Sequence, residues 1–159
     1  MTATKSTPAS RLAATWERLH RRPGGKWLFS RLLGRFTPYT GTIGARVEDL
    51  GPGYARIRMR DRPAVRNHLN SIHAIALANL GEVTSGLAMQ STLPPDVRGI
   101  VTGLDVEYIR KARGTLIAES RCTPPVVTGL TDAQAVAEIR NSEGELVTRV
   151  TARWRLAPL

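Results

Sequence analysis

The chain has little of what staples or anchors a protein from outside its own core. It holds one cysteine, Cys122, in 159 residues, so no disulfide framework and no Cys/His cluster at zinc spacing is available. No metal is expected, and a reducing cytoplasm is the expected compartment. Aromatic residues make up only 5% of the chain, which leaves few rings on which single-stranded bases stack. No helix-turn-helix or RNA-recognition signature is present, so nucleic acid is not the expected partner. Long apolar runs are missing near the start, where "LAATWERLHRR" is too charged for a signal peptide or a membrane span.

Acidic residues are scarce as well. Thirteen Asp and Glu against 23 Lys and Arg leave a formal charge of +10. Such a surplus suits polyanionic partners, whether nucleic acid, acidic lipid or a phosphorylated cofactor, and does not choose among them. The length fits one domain able to bury about two-thirds of its unfolded surface.

What is present is patterning. Residues 1–8 read as a disordered tail, 9–38 as a basic helical extension interrupted at "RRPGG", and 39–159 as the main domain. Leu12, Trp16 and Leu19 recur at helical spacing, with Arg11, Arg18, Arg21 and Arg22 on other faces. Such a segment can rest on an anionic membrane, but a helix packed on the domain with its basic face in water is the expectation. From residue 41 the period becomes two. Ile43, Ala45 and Val47 alternate with polar neighbours, "GPG" at 51–53 makes a turn, and Ala55, Ile57 and Met59 alternate with Arg56, Arg58 and Arg60. A helix over 71–90 follows. Then come four strands, "GIVTGLDVEYIRK", "GTLIAESRC", "AQAVAEIRN" and "ELVTRVTARWRL", the last two joined by "NSEG".

One helix among antiparallel strands implies an α+β domain, its curved sheet wrapped around a central α-helix. At 100° per residue Ile72, Ala76, Leu80, Val83 and Leu87 form an apolar stripe, and Ala74, Ala78, Gly81 and Ser85 form a stripe of small residues about 170° away. A helix apolar or small on two opposite faces is a buried one. Yet it carries a carboxylate, Glu82. An unpaired buried carboxylate costs several kcal/mol or shifts its pKa upward, so its presence asks for a reason. Either Glu82 pairs with an arginine or reaches solvent at the helix edge, or it is a base or nucleophile tuned toward neutral pH.

The residues around it resemble the hotdog-fold acyl-CoA thioesterases of the phenylacetate-pathway (PaaI) type. In that family an Asn or Gln precedes a histidine by six, two glycines usually follow the histidine, and an Asp or Glu lies nine beyond it. Asn67, His73 and Glu82 stand at those spacings, and "LDVEYIRKARGTLIAESRC" is similar to the strand and turn after the family's helix. The strand order agrees from about residue 40 to 157. Ala74 and Ile75 replace the paired glycines, and Gly86, beside Ser85, stands where one branch of the family has a threonine.

The resemblance implies a hotdog fold and hydrolysis of an acyl-CoA by a homodimer, or a dimer of dimers, with no cofactor beyond the coenzyme A of the substrate. It implies Glu82 as base or nucleophile, Asn67 orienting water or the acid, and the Ala74 N–H at the helix start as oxyanion donor. His73 is more a structural hydrogen-bond partner than a base, and Asn70 is a candidate cap. Ser85 and Ile75 are candidate substrate contacts. Arg110, Lys111 and Arg113 suit the phosphates of coenzyme A. On the helix His73 and Glu82 lie about 180° apart, which supports a site built from two chains. The rivals are a non-catalytic acyl-binding scaffold, a hydratase of the same fold, whose Gly-, Phe- and Pro-containing His loop is absent, and a basic membrane-surface or nucleic-acid binder.

Overall fold

The computed structural model describes residues 8–159. The expected tail of residues 1–8 lies, Pro8 apart, outside the described residues. Three helices open the chain: α1 (Pro8–Leu19), α2 (Gly25–Phe36) and the short α3 (Pro38–Gly41). Next come the hairpin β1 (Arg46–Gly51) and β2 (Tyr54–Met59), the long helix α4 (Ala74–Gln90), and the strands β3 (Val97–Tyr108), β4 (Leu116–Arg121), β5 (Thr131–Arg140) and β6 (Leu146–Pro158).

The six strands form one antiparallel sheet in the order β1-β2-β4-β5-β6-β3. The alternation read along each strand decides which side of it meets α4. Ala55, Ile57 and Met59 of β2 are buried, as are Val150, Ala152, Trp154 and Leu156 of β6, while the arginines between them turn outward. Gly144, at φ +80, closes the turn between β5 and β6 in a conformation that L side chains rarely adopt. This is the hotdog arrangement: a curved sheet around a central helix.

α4 is held close because one of its faces is nearly bare. A Cβ on Gly81 would overlap the side chain of Val150 on β6, so glycine sets the distance between helix and sheet. Leu80, Ala88 and Met89 are fully buried, each large side chain stabilising the fold by roughly 1.5–3 kcal/mol. Both ends are tied. The Ser91 hydroxyl donates to Gly51 O (2.7 Å) and accepts the Gly53 N–H (3.1 Å), while Ile72 N–H donates to Ala112 O (2.9 Å).

The N-terminal helices pack on the β1 side. Trp16 and Phe29 are buried in edge contact at 5.0 Å, and Leu12 and Leu19 pack against the same cluster. The apolar stripe of α1 therefore faces protein. Ser30 Oγ accepts the Val47 N–H (2.9 Å), and Lys26 Nζ donates to Glu48 O (2.5 Å), fixing α2 along the edge strand. Ile43 is buried but sits in the turn before β1, since the strand begins only at Arg46. Among the described residues no helix is long and apolar enough to cross a membrane.

Candidate active site

The start of α4 is built by its own first residues. His73 is the N-cap, extended at φ −64 and ψ 140, and its Nδ1 accepts the Ile75 N–H at 3.1 Å. Asn70 does not cap the helix: it sits at φ 54, and its Oδ1 accepts from Arg66 instead (3.1 Å). Because Nδ1 of His73 accepts, the neutral ring of this exposed residue carries its proton on Nε2, which is left as a donor. Ala74 N–H, first in the helix, has no acceptor among the described residues. It is one of the free N–H groups where the helix dipole favours negative charge.

The loop before the cap is ordered by side chains. Asn67 Oδ1 accepts from Leu69 N–H (3.0 Å), Ser71 N–H (3.2 Å) and Ser71 Oγ (3.2 Å). Its carbonyl is thus committed to the loop, and its amide donors carry no bond among the described residues. Asp61 holds the neighbouring turn: Oδ1 takes Arg66 Nε at 2.6 Å and Oδ2 takes the Gly114 N–H at 2.9 Å. The Arg66 hydrogen bond, helped by Gly114, keeps the Asp61 carboxyl below the usual carboxylate range.

That turn carries Arg110, Lys111 and Arg113, all exposed, beside the helix tip to which Ala112 O is bonded. Arg110 lies 3.9 Å from Glu145, and Lys111 makes no ion pair among the described residues. Tyr108, which sequence reasoning did not single out, donates from Oη to Ala74 O (3.0 Å) and thereby bridges β3 to the first turn of α4. Its place in an alternating strand is visible in the sequence; its partner is not.

Glu82 stands nine residues on, half a turn round and about 14 Å further along the axis. It is partly buried, and its carboxylate has no hydrogen bond or ion pair among the described residues. Burial holds its carboxyl above the usual carboxylate range. Its face of the helix begins open, with Ile75 53% exposed and Ala78 half-buried, and then runs under the sheet at Gly86 and Met89. Glu82 sits at that boundary. Ser85, one turn away, is fully buried, and its hydroxyl donates to Glu82 O (3.0 Å), a bond within the helix rather than a free contact.

One further polar atom belongs here. Trp154 Nε1 on β6 is buried without a hydrogen-bond partner among the described residues, and the Trp154 ring edge and Glu82 Oε1 both lie close to Gly86. An orphaned buried donor is uncommon enough to mark a place where a water or ligand belongs.

The structure thus brings Asn67, His73, Ala74, Ile75 and the basic turn to one end of α4. Glu82 and Ser85 stay apart from them within one chain. Among the described residues no group of three or more His, Cys, Asp or Glu side chains is placed to hold a metal ion.

The fold agrees with known proteins. Residues 25–156 match the family described as "Domain of unknown function (DUF4442)". The chain belongs to that family. A structural-genomics crystal structure is 26% identical, with a TM-score of 0.82 over 94% of this chain and 99% of that one. A Pseudomonas aeruginosa structure described as "Probable Thioesterase" is 24% identical, with a TM-score of 0.74 over 82% and 93%, and shares the fold. A Halobacterium salinarum protein named "Putative esterase" is 36% identical over 83 residues, 49% of this chain. The match spans 55% of that relative's length.

Proposed function

We propose that this DUF4442 protein is a thioester hydrolase acting on acyl-CoA, with each site shared between two copies of the chain. The observation that carries the reading is the state of Glu82: a half-buried carboxylate with raised pKa and, among the described residues, no partner, at the boundary of an open apolar strip. A structural glutamate in a buried helix finds an arginine or reaches water, whereas a general base needs its acceptor free. The fold shared with a described thioesterase and the similarity to an esterase-named relative support the same chemistry.

The two-copy arrangement follows from the separation along α4. The strip of Ile75 and Ala78 continues onto β3, where Leu104, Val106 and Tyr108 register against Ala152, Val150 and Thr148 of β6 and so face the helix side. Leu104 and Tyr108 are well exposed there, and β3 is an edge strand with β6 as its neighbour. An edge of twelve residues with apolar side chains is a template for pairing. A second copy laid against it brings the helix tip of one chain toward Glu82 of the other.

In this reading Glu82 takes a proton from water, whose oxygen bonds to the thioester carbonyl carbon. The developing oxyanion accepts from Ala74 N–H of the second copy, with His73 Nε2–H as a neighbouring donor. Asn67 donates through its free amide to the water or the acid. The C–S bond then breaks, and the thiolate leaves with the proton held by Glu82. Ile75 borders the acyl group, and Arg110, Lys111 and Arg113 meet the coenzyme phosphates. A panel of acyl-CoAs assayed with a free-thiol reporter tests the reading. Turnover of at least one member, lost in Glu82→Gln, is expected; equal turnover by the variant rejects the assignment.

A further inference from the structure

The N-terminal helices border an open cavity of about 930 Å³ against the β1-β2 hairpin, lined by Arg31, Arg35, Arg46, Arg58 and Arg60 and by no Asp or Glu among the described residues. Its floor is apolar: Val47, Ile57 and Val83. Asn67, His73, Ala74, Glu82 and Ser85 do not line it, which sets the cavity apart from the site above.

The arginines are placed at a cost. Arg46 and Arg58 stand directly opposite each other on paired strands, an arrangement that like charges destabilise. Glu48 lies 2.6 Å from Arg58 and 3.6 Å from Arg56, which leaves Arg46 without a carboxylate. Arg35, Arg46 and Arg60 make no ion pair or hydrogen bond among the described residues, and Arg31 rests over the ring of Trp27. Guanidiniums left without a carboxylate around one concavity favour an anion with several oxygens.

The exposed face of α2 next to the cavity says which kind. Leu28, Leu32 and Phe36 recur at four-residue spacing on the outer face of α2, all exposed, Phe36 at 72%. Trp27, 55% exposed, stands at the mouth. Arg31 and Arg35 lie between this stripe and the cavity on the helix wheel. A soluble polyanion would leave the stripe without a role. A second copy of this face would set its unpaired guanidiniums against one another. An aromatic and aliphatic stripe bordered by arginines is the composition of a helix lying at a lipid interface.

We propose that the cavity and the α2 stripe form one docking surface for an anionic phospholipid bilayer, the guanidiniums taking lipid phosphates and the stripe entering the acyl boundary. The apolar residues of α1 play no part in it, since Trp16 is buried.

The test is cosedimentation of the full chain with vesicles of phosphatidylcholine alone and with phosphatidylglycerol added. Binding is expected only to the anionic vesicles, weakening with salt. Arg46→Ser with Arg60→Ser, and separately Leu32→Ser with Phe36→Ser, should each lower it roughly tenfold or more. All four positions are surface or rim, and loss of Arg46 relieves its opposition to Arg58, so thermal melting should confirm that both variants fold. Undiminished binding by the arginine variant overturns the proposal. So does a melting rise with inorganic pyrophosphate, lost in that variant, without vesicle binding, because the cavity then serves a soluble phosphate ligand. A changed oligomeric state in the stripe variant, again without vesicle binding, assigns α2 to a second copy and overturns it too. None of these readouts uses turnover, so they stand or fall apart from the hydrolase reading.

Discussion

The Trp154 ring and the Glu82 carboxylate meet at one point: where a Cβ on Gly86 would sit, Trp154 Cζ2 is 3.6 Å away and Glu82 Oε1 is 3.9 Å away. Among the described residues Trp154 Nε1 is buried without an acceptor, and the Glu82 carboxylate has no donor. Donation from the indole N–H toward Glu82, made directly or through a water as the site opens, would favour its charged form. Trp154→Phe keeps the apolar bulk and removes the donor. The acidic limb of kcat/KM should then move to higher pH, and at a fixed pH on that limb the rate should fall by about tenfold for each unit moved. Superimposable pH profiles for the two proteins would show that the indole N–H does not act on Glu82.

Glu82 itself should cost stability while it serves activity. Its folded pKa is raised by burial, so the folded state holds the proton more tightly than the unfolded chain. Stability therefore falls as pH rises from the ordinary glutamate value, about 4.3, through the raised folded value, and stays lower above it. Glu82→Gln removes the charge and keeps the shape. The variant should melt higher than the parent at neutral pH, and the difference should vanish below about pH 4. Equal melting temperatures across that range would place the carboxylate in water-like surroundings.

Most of the fold was legible because each element carries its own period. The alternation of Ala55, Ile57 and Met59 and the two stripes of α4 are properties of single segments, and the structure has them. The order of strands in the sheet was not legible, since β3 beside β6 is decided by side chains distant in sequence. The site divides along the same line. The spacing of Asn67, His73 and Glu82 is visible in the chain, but the cap is His73 rather than Asn70 because the loop's turn at Asn67 brings the imidazole over the Ile75 N–H. Ser85 is polar in the sequence and occupied in the structure, its hydroxyl bonded one turn back. Trp154 reads only as a core residue until its neighbours are known.

The Asp61 clamp should make the loop under the helix tip sensitive to acid. Its carboxyl pKa is lowered, first by Arg66, so its contribution is complete above the unfolded value, about 3.9, and is lost as pH falls through the folded one. Asp61→Asn should lower stability at pH 7 by about 1 kcal/mol, modest because Arg66 is part exposed. Hydrogen exchange at the Gly114 amide, which donates to Asp61, should quicken in the variant. Unchanged protection there would show that the clamp is not what orders the turn.

His73 can be separated into cap and donor. His73→Ala removes the acceptor for Ile75 N–H and should cost about 1 kcal/mol. Asn is among the preferred cap residues, so His73→Asn should restore most of that stability. If Nε2–H also serves the oxyanion, the Asn variant will be stable yet slower in kcat; full recovery of both would leave His73 a cap and nothing more.

Ala74 offers the most selective cut, because proline is favoured at the first helical position, where its missing N–H breaks no helix bond. His73 is already extended at ψ 140, as the residue before a proline requires. Ala74→Pro should therefore fold and dimerise while losing roughly 10²–10³ in kcat, the effect of deleting one oxyanion donor. The variant also tests where the donor comes from. In a site shared by two copies, an Ala74→Pro chain still supplies an intact Glu82, and a Glu82→Gln chain still supplies an intact helix tip. Unfolding and refolding the two inactive variants together should yield mixed dimers with one complete site, and activity should return. Activity that never exceeds that of the separate variants, in a mixture shown to contain mixed dimers, would mean that helix tip and acid act within a single chain or not together at all.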